Sequence, residues 1–389
     1  MLGLYDDSAM ATAAHILTNG PISRAEIARA LQLSPGTLTR LVKPLLEAEL
    51  VIDEGVGVPK SGMGRPTQLL DIPACQHRFI GINISVGAVH AVTVDARARV
   101  QSSKRISVTN ASPSEIGEVI NALMATMLPN VSGSLRGIGL SLGGAIREGR
   151  VKENRFFGWR DVDIRTYIDL PEAVPFSVVN DLEALTVFEQ WFMLGRKVPS
   201  FALVTVGAGV GHGLVHLRRR LRAPSSGYGM TGHFPLAGAH GICQYGHISC
   251  ANGALTTSAL LGRARSGRGI LNQDRRPADQ NDLIVLADEG DVTARTVIDE
   301  YVRNLATYIQ AVACASMVTD VVIDGEGVHL LDTPWSSSFD ELLQSYRSPN
   351  IPVLTAHRRS GSFERWAQGA ATHAIISWLE DRVLSAHSR

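Results

Sequence analysis

The stretch Leu203-Val204-Thr205-Val206-Gly207-Ala208-Gly209-Val210-Gly211-His212-Gly213-Leu214-Val215 sets four closely spaced glycines between two apolar runs. Glycines this close let the backbone reach positive φ and leave amides uncovered by Cβ atoms, so a polar or anionic group can approach them directly. A tight hairpin needs some of the same glycines, so the turn reads either as a ligand floor or as a hairpin alone. A second chemistry lies near the amino terminus, where Ser34 precedes a segment that carries Thr37, Thr39, Arg40 and Lys43. Small hydroxyls and cations on one helical face suit contacts to base edges and phosphates. Lys60 and Arg65 follow in a glycine-rich stretch. Cys243 and Cys250 form the one clustered pair among four cysteines, while Cys75 and Cys314 lie in apolar surroundings and read as buried packing residues.

The bulk composition bounds what these groups can serve. A chain of 389 residues is long for one compact unit and predicts two or three domains. With 45% hydrophobic and 19% charged residues it is an ordinary globular composition, able to bury a large core. Net charge is zero, so composition alone does not point to nucleic acid. No basic stretch precedes an apolar one at the start, and no apolar run is long enough to cross a bilayer; a cytoplasmic protein with no membrane partner is expected. Four cysteines are too few for a disulfide scaffold at this length.

The elements that must position these residues are legible from spacing. Residues 1–74 read as three short helices and a hairpin. Met10, Ala13, Ala14 and Leu17 share one face of the first helix. Ser23-Arg24-Ala25-Glu26 is a capping box that opens the second. Ser34 with Pro35 opens the third, whose Leu38, Leu41, Val42, Leu45 and Leu46 form a core-facing stripe. Pro44 removes the bond to the Arg40 carbonyl and is expected to bend or end that helix. Two short helices with a tight turn, followed by strands at 50–53 and 67–72 around the loop 55–66, predict a winged helix-turn-helix. The loop tip Gly62-Met63-Gly64-Arg65-Pro66 resembles the Gly-Arg-Pro core of minor-groove hooks. Arg24, Arg29, Arg40, Lys43, Lys60 and Arg65 are outnumbered by Asp6, Asp7, Glu26, Glu47, Glu49, Asp53, Glu54 and Asp71, so attraction to DNA must come from how charge is distributed. Beyond 74, strands at 79–84, 88–95 and 105–108 form a meander, 115–127 a helix, 135–142 a strand, 262–282 an exposed arginine-containing loop, 284–317 helices, 320–327 a strand and turn, and 363–388 a closing helix.

Past the glycine turn come Gly229-Met230-Thr231-Gly232-His233 and Cys243-Gln244-Tyr245-Gly246-His247-Ile248-Ser249-Cys250-Ala251-Asn252. With these segments the whole chain resembles the ROK proteins, bacterial sugar kinases and transcriptional repressors that share an actin-like, two-lobed sugar-kinase fold. The family pattern is Gly-Glu-x-Gly-His and then Cys-x-Cys-Gly-x-x-Gly-Cys-x-Glu. Here Met230 replaces the first glutamate, Tyr245 the second cysteine, Ser249 a glycine and Asn252 the last glutamate. In the family's kinases the first turn is Asp-x-Gly-Gly-Thr, whose carboxylate helps hold magnesium; this chain has Asn83-Ile84-Ser85-Val86-Gly87. The resemblance therefore implies the fold without ATP use. It also implies that Gly143, Asn180, Asp181, His233 and Asn252 line a ligand site, with Asp181 at the position of the kinase base but not catalytic. Asp181 reads equally as a helix-start residue stabilised by the amino-terminal dipole. A hydroxyl that loses a charged acceptor loses about 1.5–3 kcal/mol, so the site is expected to take an altered ligand or none. The family's structural zinc implies His233, Cys243 and Cys250 as ligands, with His240 or His247 as the fourth; the competing reading is a relic loop with free thiols.

The expected architecture is thus an all-α, winged helix-turn-helix head (1–74) on an α/β actin-like body related to sugar kinases and ribonuclease H. The first lobe would span 75–182 and be completed by a helix over 363–389. The second, 183–362, would carry a dimerisation surface and the Cys/His loop. The expected function is a non-enzymatic regulator, a repressor that binds double-stranded operator DNA as a homodimer or dimer of dimers. A small sugar-like effector would control it by shifting the population between two lobe arrangements. Two other readings use the same residues: an ATP-dependent sugar kinase with a DNA-binding module, and an effector-independent regulator whose body only dimerises.

Overall fold

A computed structural model describes residues 8–57, 67–109, 111–131, 134–221, 227–267, 275–345, 348–359 and 361–388. The chain divides into two compact units, Met1–Pro199 with Leu217–Arg220 and Glu364–Arg389, and Ser200–His216 with Leu221–Phe363.

The first unit begins with the helical head. α1 (Ser8–Asn19), α2 (Arg24–Leu31) and α3 (Pro35–Glu47) precede a small sheet of β1 (Ile22–Ser23), β2 (Ile52–Gly57) and β3 (Thr67–Asp71), ordered β1-β3-β2. The caps form as their residue types dictate. Ser23 Oγ accepts from the Glu26 amide at 3.2 Å, and the Glu26 carboxylate accepts from the Ser23 amide at 3.1 Å. Leu38, Val42 and Leu45 of α3 are buried, with Leu41 and Leu46 half-buried beside them. Pro44, expected to bend or end α3, does not end it: the helix continues to Glu47. The Arg40 position is exposed, so its unpaired carbonyl can be solvated, while buried Leu45 holds the last turn in place and accepts from Leu50 and Val51.

The body of this unit is a five-stranded sheet ordered β11-β7-β4-β5-β6. β4 (His77–Ser85), β5 (Ala88–Asp95) and β6 (Val100–Ser107) form the antiparallel meander, and β7 (Ser134–Leu142) and β11 (Phe176–Asn180) add in parallel. One face packs α4 (Pro113–Met127) over Ile80, Ile82, Ile138 and Leu140. Between β7 and β11 a small antiparallel sheet forms from β8 (Ala145–Arg147), β9 (Arg150–Asn154) and β10 (Trp159–Val162). α5 (Asp181–Phe192) grows directly out of β11 and packs here, so residues 183–199 group with the first unit rather than with the second, where they were expected.

α12 (Phe363–His387) lies on the sheet at two glycines. A methyl group at Gly81 would meet the Ala367 carbonyl at 1.9 Å, and one at Gly139 the Ala370 carbonyl at 1.9 Å. Bare backbone is what lets helix and sheet approach. The head is tied down by two arginines. Arg97 donates to the Leu17 carbonyl at 2.7 Å and pairs with buried Asp71, and Arg382 donates to the Ala48 carbonyl at 3.0 Å. Cys75 is exposed, since it sits in a one-turn helix between β3 and β4 rather than in a strand.

In the second unit, β12 (Phe201–Val206) pairs with β13 (Val210–His216) antiparallel and with β15 (Asp320–Asp324) parallel, and β16 (Thr355–Arg358) pairs with β15. The chain turns back after β13 as β14 (Arg219–Arg220), which groups with the first unit. α6 (Gly227–Thr231), α7 (Ala251–Leu255), α8 (Thr257–Ser266), α9 (Gln280–Asp288), α10 (Val292–Ser316) and α11 (Phe339–Leu343) surround the sheet. Tyr301, Leu305, Tyr308 and Ile309 of α10 are fully buried, whereas Cys314 lies on its exposed side. Of the segment expected as a loop at 262–282, residues 262–266 close α8, which Thr256 caps, and 280–282 open α9, which Asp279 caps; 268–274 lie outside the described residues. Two of its arginines are engaged: Arg263 donates to the His240 and Ala254 carbonyls, and Arg265 to those of Pro277 and Ala278.

Candidate functional site

The head presents one face of α3 to solvent. Ser34 Oγ accepts from the Thr37 amide at 3.1 Å and lies 2.9 Å from Thr37 Oγ1, so both hydroxyls build the helix start. Thr39 Oγ1 donates to the Pro35 carbonyl at 2.9 Å. Arg40 and Lys43 are exposed one turn apart, Lys43 with a loose 3.7 Å pair to Glu47. A pair that exposed contributes little and leaves the cation available. Gln32, exposed in the turn between α2 and α3, was not anticipated; it takes φ 55° where no glycine is present. Lys60 and Arg65 lie outside the described residues.

In the first unit three of the expected ligand residues meet. Asn180 is the cap of α5: its Oδ1 accepts from the Glu183 amide at 3.1 Å and its Nδ2 donates to the Gly144 carbonyl at 2.9 Å. One amide hydrogen and one lone pair remain on this buried side chain. Asp181 is the first helical residue, accepting from the Leu182 amide at 2.8 Å, and burial raises its carboxyl to about 6. Gly143 faces it, since a methyl there would lie 3.4 Å from Asp181 Oδ2. The turn after β4 lacks a carboxylate. Asn83 is 1% exposed and donates to Ser141 Oγ at 3.1 Å, while its Oδ1 is buried with no partner among the described residues. Val86 stands 58% exposed in the turn where bare amides would be needed.

In the second unit the glycine turn is filled from within. The Gly207 amide donates to the Gly209 carbonyl, the Gly207 carbonyl accepts from Thr257, and the Val210 amide donates to Asn252 Oδ1 at 3.1 Å. The Glu326 carboxylate accepts from the Ala208 amide, and a methyl at Gly207 would lie 2.8 Å from Glu326 Oε2. Burial raises the Glu326 pKa. The turn is therefore less a vacant floor than one already holding the protein's own anion. Glu326 was not anticipated; its signal was an acid between glycines in Asp324-Gly325-Glu326-Gly327. Asn252, expected at a ligand, ties the hairpin to Gly232, whose carbonyl accepts from its amide at 2.7 Å.

His233 gathers with Cys243, His247 and Cys250, their donor atoms all within 4.8 Å of one another. His233 Nδ1 lies 3.7 Å from Cys243 Sγ, 3.8 Å from Cys250 Sγ and 3.2 Å from His247 Nδ1. Tetrahedral bonds to zinc of about 2.0–2.3 Å place ligand atoms roughly 3.3–3.8 Å apart, so this donor set fits the ion. His247, rather than His240, completes the set, and Tyr245 stacks on its ring with planes 9° apart.

Residues 79–374 match the model of the ROK family, and residues 14–52 that of a winged helix-turn-helix DNA-binding domain. The chain is 26% identical over 258 residues to a xylose repressor of Caldicellulosiruptor bescii, covering 63% of this chain and 63% of that one. The chain thus spans under two thirds of that relative's length. It is 24% identical over 375 residues to the DNA-binding transcriptional repressor Mlc of Escherichia coli, covering 92% and 89% of the two chains. A crystal structure of a ROK family transcriptional regulator, described as a homologue of the E. coli Mlc protein, superposes with a TM-score of 0.74 at 18% identity over 97% of this chain and 98% of that one. That likeness covers the head as well as the sugar-kinase-like body.

Proposed function

Because the chain belongs to the ROK family, we propose that it is a transcriptional regulator, a repressor that binds operator DNA through α3 and whose body takes a sugar or sugar-derived effector without phosphorylating it. The observation that carries this reading is the contrast between head and body. The head keeps its caps, its buried stripe and its exposed Arg40 and Lys43. The body has neutral Asn83 at the magnesium position, Val86 in the turn, and Glu326 against the glycine turn, where it accepts from the Ala208 amide. A phosphate at the turn after β4 would find no metal-holding charge, and one at the glycine turn would meet a resident carboxylate; each is unfavourable. Relatives named as a xylose repressor and as the repressor Mlc support the same reading. We place the effector against Asp181 and Gly143, the polar pair that does not serve as a cap, and the protein as a homodimer whose two heads read two half-sites. Among the described residues no helix is long and apolar enough to cross a membrane.

Zinc belongs to the same proposal. His233, Cys243, His247 and Cys250 would hold it as a closed structural site, pinning the segment from His233 to Cys250 and supplying no reactive position. The test of the functional reading is selection of duplexes from a randomised pool, followed by release with a panel of sugars. An enriched sequence, released by one sugar class, supports it. No enrichment, or ADP formed from ATP with any of the sugars, contradicts it.

A further inference from the structure

The turn that joins β13 to β14 contains no glycine. Leu217 and Arg218 take φ 49° and 63°, both positive, as a type I′ hairpin turn requires. A leucine side chain is sterically disfavoured there and has no polar atom to offset the clash. Such a conformation persists only where its surroundings over-determine it. Here they do. The Arg218 amide donates to the Pro199 carbonyl at 2.6 Å, its guanidinium to the Gly195 carbonyl at 2.9 Å, and its own carbonyl accepts from Gln190 Nε2 at 2.8 Å. Two residues on, Arg220 donates to the Glu183 carboxylate at 2.5 Å. All of these partners lie on α5 or just beyond it.

On its other side Arg218 lines a cavity of ≈ 110 Å³ whose opposite wall is the head: Ala11, Ala14 and His15 of α1 and Leu31 of α2. Small side chains leave this contact loosely filled, and a gap forfeits the dispersion energy that close packing would supply. Burial, and then the Arg218 charge, hold the His15 imidazole below its usual pKa, which places that cation within electrostatic reach of α1. Residues 217–220 pack within the first unit, while His216 and Leu221 on either side belong to the second. A displacement of β13 therefore reaches this turn along the chain itself.

We propose that the Leu217–Arg218 turn is a latch by which the state of the second unit is relayed to the DNA-reading head. Docked, Arg218 braces α5 and the ground beneath α1. Released, the strained turn relaxes, and α1 and α2 lose that support. The latch rests on the reading of the chain as a DNA-binding regulator.

Hydrogen exchange on the full chain tests it with three proteins: wild type, Arg218→Ala, and Leu217→Asn, which accepts positive φ and keeps the arginine. Exchange of α1 and α2 amides should rise roughly fivefold or more in Arg218→Ala while β4 and β7 stay as in wild type, and Leu217→Asn should match or exceed wild-type protection. Unchanged exchange of α1 in Arg218→Ala, or acceleration spread equally over β4 and β7, overturns the latch. Affinity is measured alongside, for the duplex that the wild type selects from a randomised pool. A wild type that selects no duplex contradicts the regulator reading, and the exchange result then decides the latch alone. A wild type that selects one, with Arg218→Ala equal to it in both affinity and α1 exchange, overturns the latch and leaves the regulator reading standing.

Discussion

Asp181 opens α5, and its buried setting governs its charge. Its carboxyl titrates near 6 in the folded chain against 3.8 for the free side chain, because burial disfavours the charged form. A raised acid favours folding below the unfolded value, and that contribution is lost as pH rises through 6. Asp181→Asn should therefore raise the melting temperature at pH 7.5, by the equivalent of about 1–2 kcal/mol once partial exposure is allowed for, and give no gain at pH 4. Thermal melts at the two pH values check this; equal effects at both would contradict it. The metal set makes a separate prediction. Protein purified without chelator should contain stoichiometric zinc by elemental analysis, and Cys250→Ser should lose both the metal and several degrees of melting temperature. Residue roles were only partly legible in sequence. Asn180 reads as a ligand donor because a cap and a binding amide look identical until the Glu183 amide is seen to occupy its oxygen. His247 was one of two candidates, and only the fold shows which histidine reaches His233. Glu326 escaped notice because nothing in its local sequence shows that a residue more than a hundred positions after Gly207 lies against it.

Elements follow more directly from local chemistry. The capping box and the Pro35 start placed α2 and α3 because these signals act within one turn and need no tertiary context. Ser23→Ala should cost about 1 kcal/mol of stability in denaturant titration, since it strands the Glu26 amide. Pro44 does not end α3 because its cost depends on what surrounds the orphaned carbonyl, and an exposed position with a buried Leu45 tolerates it. The first residues of the segment 262–282 are helical for a related reason: α8 is anchored by a cap at Thr256 and by arginines bonded to carbonyls, not by a long apolar stripe. The seat of α12 yields the sharpest element-scale prediction. Gly139→Ala puts a methyl into the Ala370 carbonyl, and neither backbone can yield easily. It should destabilise by about 2–4 kcal/mol, or prevent folding, whereas Gly262→Ala, with open space around it, should be neutral or stabilising.

At the scale of the whole molecule, the chain joins a winged helical head to a sugar-kinase-like body that has Asn83 and Val86 at the end of β4 and Glu326 against the glycine turn. On the proposed reading, DNA binding is the output and the body senses. The direct measurement is fluorescence anisotropy of the duplex selected by the wild type, titrated with wild-type and Arg40→Ala protein at two salt concentrations. Loss of an exposed cation on α3 should weaken binding at least about tenfold and flatten the salt dependence. Wild-type binding that is strong, salt-dependent and impaired by Arg40→Ala is the predicted result. No binding by the wild type at low salt, or identical curves for the two proteins, would contradict the assignment of α3 as the DNA-reading element.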